Sequence, residues 1–392
     1  MYISISGERG KQMIFAIPNP TLEEEIALAR IEELRRELRH YVAEPKRWVG
    51  QIRRVLAARA IQGSNSIEGY DVSVEDAVAA IEGDEPSTAS EEDWQAAQGY
   101  RRAMTYVLQL ARDNHFAYSS QVISGLHFMI AEYSLNAGPG LWRPGPIWVR
   151  NEATGTVVYE APDAEQVPDL IEELVAQLSS DQEVHVLIRA AMAHLNLVMI
   201  HPFRDGNGRM ARCLQTLVLG RDRILEPQFS SIEEYLGRNT QAYYQVLARV
   251  GRGRWSPASD AHAWVRFCLE AHYIQAASVL RRVQESEAMW SKLDTLRAKH
   301  RLAERTISAL FDAAIGLRIR NSSYRLMLKG NDEEISNQLA TSDLRSMVRA
   351  GLLKRLGAKR GTYYQAADPL LEITASVRSN RKELDAGSLF TP

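Results

Sequence analysis

A chain of 392 residues, 45% hydrophobic and 24% charged, can bury an ample core and is expected to form two or three domains. Its formal net charge of −2 excludes a global bias toward nucleic acid or membrane, and no apolar run approaches the roughly 20 residues that cross a bilayer. Cys213 and Cys268 fall in helical patterns rather than a paired framework, and no basic-plus-apolar leader is visible, so a soluble protein of a reducing cytoplasm, without a membrane partner, is expected.

Residues 21–40 place Leu22, Ile26, Leu28, Ile31, Leu34 and Leu38 among charges, the pattern of an amphipathic helix. A second helical stretch through Trp48, Ile52, Val55, Leu56 and Ile61 ends in Ser64-Asn65-Ser66-Ile67-Glu68-Gly69, which by itself reads as a helix C-terminus with a glycine cap. Leu141-Trp142-Arg143-Pro144 and Ile147-Trp148-Val149-Arg150 precede a turn at Asn151-Glu152-Ala153-Thr154-Gly155. Thr156, Val157, Val158 and Tyr159 follow it, so aromatic and β-branched runs around a glycine turn predict a hairpin. Two X-Pro steps then lead into a helix over 169–178.

The stretch Ala190 to Ile200 is apolar almost all round, as in a helix buried in a core. It delivers His201 to the head of His201-Pro202-Phe203-Arg204-Asp205-Gly206-Asn207-Gly208-Arg209-Met210-Ala211-Arg212. Gly206 and Gly208 let successive N–H groups turn inward as an anion nest. Apolar spacing resumes at Met210, Cys213, Leu214, Leu217 and Val218, so a second helix starts at about Asn207 with its N-terminus toward that nest. Arg209 and Arg212 oppose the helix dipole, an arrangement that makes sense around an anion. Asp205 is a hard oxygen ligand of the kind that holds Mg²⁺ together with substrate phosphates. His201 titrates near neutrality and is suited to taking a proton from a hydroxyl.

These twelve residues resemble the signature of the Fic (filamentation induced by cAMP) family, His-x-Phe-x-(Asp/Glu)-Gly-Asn-Gly-Arg-x-x-Arg, at every fixed position. The resemblance implies transfer of AMP from Mg·ATP to a Ser, Thr or Tyr hydroxyl of a target protein, the chain itself included. It makes His201 the general base and Asp205 the Mg²⁺ ligand. Gly206, Asn207 and Gly208 would bind the α- and β-phosphates, Arg209 would support the phosphate chain, Arg212 would reach the γ-phosphate, and Phe203 would anchor the loop. Doc-like kinases of the same superfamily replace the second nest glycine, and Gly208 is intact here, which favours AMP transfer. The upstream hexapeptide resembles the inhibitory (Ser/Thr)-x-x-x-Glu-(Gly/Asn) motif of the family's second class, carried here by Ser64, Glu68 and Gly69. Glu68 would pair with Arg212 and hold the nucleotide in a non-productive pose. In some members the same glutamate helps to remove AMP again, and that role stays open.

The resemblance makes the hairpin a flap that lays the target over the site, with Thr156, Val157, Val158 and Tyr159 as docking candidates. Tyr243 and Tyr244 match the family's post-core helix, whose tyrosines lie near adenine. A polar residue often found one turn later is replaced by Gly251, and spacing alone favours core packing for the pair. A homodimer is compatible with the resemblance.

Near residue 285 the texture shifts to charged helix. Ile335 to Ala340 reads as short and helical, Thr341-Ser342 as the cap of a helix over 343–350, and Leu352–Leu356 with Thr362–Gln365 as a hairpin. This is similar to the winged helix appended to many bacterial Fic proteins. On DNA, Arg345, Ser346 and Arg349 would face the groove and Lys359 and Arg360 the phosphates, but Asp332, Glu333, Glu334 and Asp343 dilute the basic patch, and a winged helix also serves as a protein-docking or dimer module, so DNA binding is not the favoured reading.

The expected fold is mainly α: a Fic-type helical bundle with a β-hairpin flap and a small C-terminal winged-helix domain. Its expected divisions are residues 1–110 with the inhibitory motif, 111–282 as catalytic core and 283–392 as helical linker and winged helix. The expected function is self-inhibited AMP transfer. The alternative is a DNA-binding or toxin-related regulator whose Fic core senses nucleotide.

Overall fold

The computed structural model describes residues 13–43, 46–150, 154–180, 183–330, 333–379, 381 and 389–390. Helix α1 (Leu22–Val42) starts at a capping box in which Thr21 and Glu24 satisfy each other's backbone N–H groups. It is followed by α2 (Arg47–Ile67), α3 (Val74–Glu82), α4 (Glu91–Arg112) and α5 (Ser120–Ala131). Ser73, Ser90 and Ser119 cap the last three.

Strands β1 (Trp148–Arg150) and β2 (Val157–Glu160) pair antiparallel. Residues 151–153 of the expected turn lie outside the described residues. Helix α6 (Val167–Ser180) begins two residues before the expected start, with Pro168 tolerated in its first turn, where no intrahelical N–H bond is needed.

Helices α7 (Val186–Ile200) and α8 (Asn207–Arg221) form the centre of the molecule. Most of their side chains are buried, from Leu195 and Leu197 on α7 to Met210, Leu214 and Leu217 on α8. A helix buried on all sides loses its amphipathic stripe, which is why α7 reads as a nearly continuous apolar run, whereas α8 also buries the polar Arg209, Arg212, Gln215 and Thr216. Around this pair stand α9 (Pro227–Ser230), α10 (Glu233–Arg238), α11 (Thr240–Gly251) and α12 (His262–Lys299).

At 38 residues α12 is about 57 Å long. Its first half packs in the main core through Trp264, Val265 and Cys268, and its last turns supply Met289 and Leu293 to a second core. The change of texture near residue 285 therefore coincides with a change of packing partner inside one helix, with no break in the backbone. The second core is completed by α13 (Thr306–Ala314), α14 (Asn321–Lys329), α15 (Asn337–Arg349), the hairpin β3 (Leu353–Leu356) and β4 (Tyr363–Ala366), and α16 (Asp368–Ser379).

One expectation is corrected here. The cap at Thr341-Ser342 does not exist: α15 starts at Asn337, with Ser336 as N-cap accepting from the Leu339 N–H at 3.1 Å. Thr341 lies inside the helix and bonds back to the Asn337 carbonyl, so its hydroxyl mimicked a cap while serving the preceding turn. Cys213 and Cys268 are both free and buried. Among the described residues no helix is long and apolar enough to cross a membrane.

Candidate active site

The link between α7 and α8 is built to hold one shape. His201 ends α7 in the left-handed region (φ 52°), a conformation that costs a non-glycine residue roughly 1–3 kcal/mol and persists only where its surroundings enforce it. Its Nδ1–H donates to the Val198 carbonyl at 3.0 Å, which leaves Nε2 with a free lone pair as proton acceptor. Burial pushes the imidazole below its usual pKa, so the neutral, basic form persists into acid. Asn207 staples the loop from the other side: its Oδ1 accepts from the Phe203 N–H and its Nδ2 donates to the Phe203 carbonyl, both at 2.9 Å. The Asn207 side chain is thus occupied within the loop, and only backbone there faces a ligand.

Gly206 has φ +76°, available to glycine without strain, and it sets the first turn of α8. The first N–H groups of that helix have no intrahelical partner, which is the physical basis of an anion site. Asp205 stands at the loop's outer edge with its carboxylate 57% exposed, and Arg209 Nη2 is 3.5 Å from it. Arg209 is otherwise buried, donating to the Tyr133 hydroxyl at 3.0 Å and lying over the rings of Tyr70 and Tyr133.

Arg212 is also buried, and α2 supplies its partners. Its Nε donates to Ser64 Oγ at 2.8 Å, and its Nη2 to the Ser64 carbonyl at 2.9 Å and to Glu68 Oε1 at 2.6 Å. Ser64 lies in the last turn of α2 and Glu68 is its C-cap, four residues on, so the end of one helix closes on one guanidinium. Burial alone would lower the Arg212 pKa, and Glu68 together with the neighbouring Tyr243 and Tyr100 raises it overall. Nη1 of Arg212 is buried without a hydrogen-bond partner among the described residues. Gly69 follows at φ +85° and turns the chain away from the site.

Gly208 completes the contact. A Cβ there would come within 2.2 Å of Glu68 Oε1 and 3.2 Å of Arg212 Nη1, so the carboxylate rests directly on the glycine.

The structure therefore brings together His201, Asp205, Gly206, Asn207, Gly208, Arg209, Arg212, Ser64 and Glu68. The remaining candidates are placed differently. Tyr243 is buried in the core, with its hydroxyl 3.0 Å from His194 Nε2, and it interacts with Arg212 from behind the site. Tyr244 is half-exposed, and its hydroxyl donates to the Ile67 carbonyl beside Glu68. Gly251 is set by packing: a Cβ there would press on Met199 and Tyr159. On the flap, Val157 and Val158 are exposed and Thr156 bonds to Thr154, whereas Tyr159 is buried and donates to the Met199 carbonyl at 2.8 Å. Tyr159 is the anchor of the hairpin rather than a docking surface. In the C-terminal unit Arg345 and Arg349 are exposed, Ser346 bonds within its own helix, Lys359 is exposed in the hairpin turn, and the Arg360 side chain lies outside the described residues.

Two residues that the sequence did not single out hold the loop. His127 on α5 stacks on Phe203 with ring centroids 3.5 Å apart and donates from Nε2 to the Asp205 carbonyl at 2.8 Å, while its Nδ1 accepts from the Gly140 N–H. Burial brings its pKa down to about 4, so it stays neutral. Buried Arg143 donates to the carbonyls of His201, Gly145 and Pro162, tying the base of the flap to the head of the loop. Neither has a local signature, since each acts across the chain from a segment of its own.

Residues 117–219 match the family model described as the Fic/DOC family. A protein of Aquifex aeolicus named as a probable protein adenylyltransferase is 28% identical over 162 residues, covering 40% of this chain and 48% of that protein. The Caenorhabditis elegans protein adenylyltransferase is 41% identical over 59 residues, 14% of this chain and 12% of that protein. The chain thus spans less than half the length of these relatives. A crystal structure of a Fic family protein from Desulfovibrio desulfuricans superposes with a TM-score of 0.55 at 20% identity, over 90% of this chain and 98% of that one. A structure of the C. elegans protein gives 0.55 at 21% identity, over 68% and 74%. At these identities the likeness is one of fold. The complete signature at the α7–α8 junction lies inside the segment, residues 117–219, that matches the Fic/DOC family.

Proposed function

We propose that this protein is a self-inhibited protein adenylyltransferase that moves AMP from ATP to a hydroxyl of a target protein, itself included: the hydroxyl oxygen bonds the α-phosphorus as the bond to the β-phosphate breaks and pyrophosphate leaves. The observation that carries the reading is the pairing of Arg212 with Ser64 and Glu68 beside the anion-binding end of α8. The cation suited to a terminal phosphate is held by an acid from outside the signature. Chemistry of this kind needs little beyond positioning and charge neutralisation. His201 Nε2 takes the proton of the acceptor hydroxyl, the first turn of α8 and Arg209 hold the phosphates, and the exposed edge at Val157 and Val158 orients the target segment. Glu68 then sets whether the γ-phosphate reaches Arg212.

The residues present fit Mg²⁺ rather than a metal held wholly by protein. Among the described residues no group of three or more His, Cys, Asp or Glu side chains could hold an ion, and Asp205 offers a single exposed carboxylate, which suits an ion shared with phosphate oxygens. When bound, it would neutralise charge on the phosphates. The test is intact-mass analysis of wild type, Glu68→Gly and Glu68→Gly/His201→Ala after incubation with Mg²⁺ and ATP. AMP-sized additions to Glu68→Gly alone support the reading, and a phosphate-sized addition makes the protein a kinase.

A second, compatible reading concerns the C-terminal unit, which we read as a winged helix that docks duplex DNA. Asp343 lies buried against Arg305 and Tyr324, away from the surface. The groove between α15 and the β3–β4 hairpin is consequently lined by Asn337, Gln338, Thr341, Arg345, Arg349 and Arg355, with no acidic residue. Salt-dependent binding to a duplex that Arg349→Ala weakens would support it; no binding at low salt would remove it.

A further inference from the structure

Helices α2 and α3 form a hairpin that carries Glu68 at its closed end. Its open end is gripped by the C-terminal unit. There the Arg54 guanidinium, on α2, pairs with Glu82 of α3 and with Asp312 of α13, all three side chains being no more than 11% exposed. Smaller contacts surround this triad: Arg318 to Glu75 at 3.3 Å, Ser322 to Asp84 at 2.9 Å, and Arg320 to Ser87 at 3.3 Å. Two carboxylates share one cation here, and burial pushes Glu82 up to about 7, so the cluster depends on all its members.

Between the triad and Glu68, α2 crosses α10 at near backbone contact. A Cβ on Gly63 would meet the Glu233 carbonyl oxygen at 2.4 Å, and one on Gly237 would meet Gly63 Cα at 2.7 Å. Such a crossing resists translation and acts as a fulcrum. Arg54 lies about 13 Å from it on one side and Glu68 about 7 Å on the other. A tilt of α2 that moves Arg54 therefore moves Glu68 the other way by about half as much, and the Glu68–Arg212 bond at 2.6 Å tolerates little of that.

We propose that Arg54 and Asp312 are positioning residues for Glu68: the C-terminal unit, by holding the open end of the α2–α3 hairpin, sets how firmly Glu68 occupies Arg212. The inference rests on the self-inhibited reading above. It makes the C-terminal unit the natural point of relief, since anything that loosens α13 from α2 and α3 loosens the acid at the site.

The test is the ratio of ATP to ADP affinity in the full chain, because the γ-phosphate is the group in competition with Glu68. Asp312→Asn keeps the shape and leaves the Arg54–Glu82 pair within the hairpin, and it should raise that ratio by roughly 2- to 30-fold. In the Glu68→Gly background the same substitution should add nothing, a non-additivity that general loosening does not produce. Arg318→Glu, at the exposed rim of the same interface, should act in the same direction and decides the matter if Asp312→Asn does not fold. A ratio unchanged in the folded variants, or raised equally with and without Glu68, overturns the proposal alone. If Glu68→Gly itself leaves the ratio unchanged, the self-inhibited reading fails and takes the proposal with it.

Discussion

Replacing Glu68 with glycine removes one acceptor of a buried arginine and leaves the Ser64 bonds in place. A hydrogen bond to a charged group contributes about 1.5–3 kcal/mol, and this one joins an arginine side chain 1% exposed to a carboxylate 24% exposed. A γ-phosphate seeking Arg212 must displace that contact, so its removal should tighten ATP by roughly 10- to 150-fold. ADP has no group in competition with Glu68 and should gain far less. Calorimetric titration of both nucleotides into wild type and Glu68→Gly measures the difference. Equal gains would refute the reasoning, because they would mean that Glu68 blocks the cleft by bulk rather than by claiming the guanidinium. A melting temperature that falls at the same time is expected, since Arg212 stays buried with fewer partners.

Four other outcomes follow from the geometry. In the Glu68→Gly background the rate should fall on the acid side as His201 protonates, with a midpoint below the ordinary imidazole value because burial lowers its pKa; a midpoint at or above about 6.5 would contradict the assignment of His201 as a desolvated base. Asp205→Ala should abolish Mg²⁺-dependent turnover while leaving the fold intact by circular dichroism, and retained turnover would place the metal elsewhere. His127→Gln loses the stack on Phe203 and should lower transfer with little change in helix content; full activity would show that the loop holds itself. Burial opposes the charge of Glu234, yet Arg282, Arg59 and Arg238 bring its pKa from 4.5 to about 2. That shift contributes roughly 3 kcal/mol, fully present above pH 4.5 and lost as pH falls toward 2. Glu234→Gln should therefore cost stability at pH 7 and nothing near pH 2, and a constant deficit across that range would contradict the linkage.

The α7–loop–α8 unit was legible because its information is local: an apolar run, two glycines and charges at helical spacing, within about 25 residues. The Glu68–Arg212 contact joins residues 144 apart and was legible only through resemblance, since nothing in Ser64–Gly69 itself distinguishes an inhibitory acid from a capped helix end. His127 and Arg143 escaped notice for the same reason, as a lone histidine on an apolar helix and an arginine before a proline carry no pattern. The start of α15 was misplaced because Thr341 and Ser342 offer hydroxyls in mid-helix that imitate a cap. The acidity of Asp343 was overcounted because burial against Arg305 is a tertiary fact. The two tyrosines of α11 part company in the structure: Tyr243 is buried in the core behind Arg212, and Tyr244 touches the end of α2.

The most direct test of the account is label transfer from ATP carrying its label on the α-phosphate or, separately, on the γ-phosphate, with wild type, Glu68→Gly and Glu68→Gly/His201→Ala compared. The account predicts α-label on protein from Glu68→Gly, little from wild type and none from the double variant. Label from the γ-phosphate, or no label from any of the three, would contradict it.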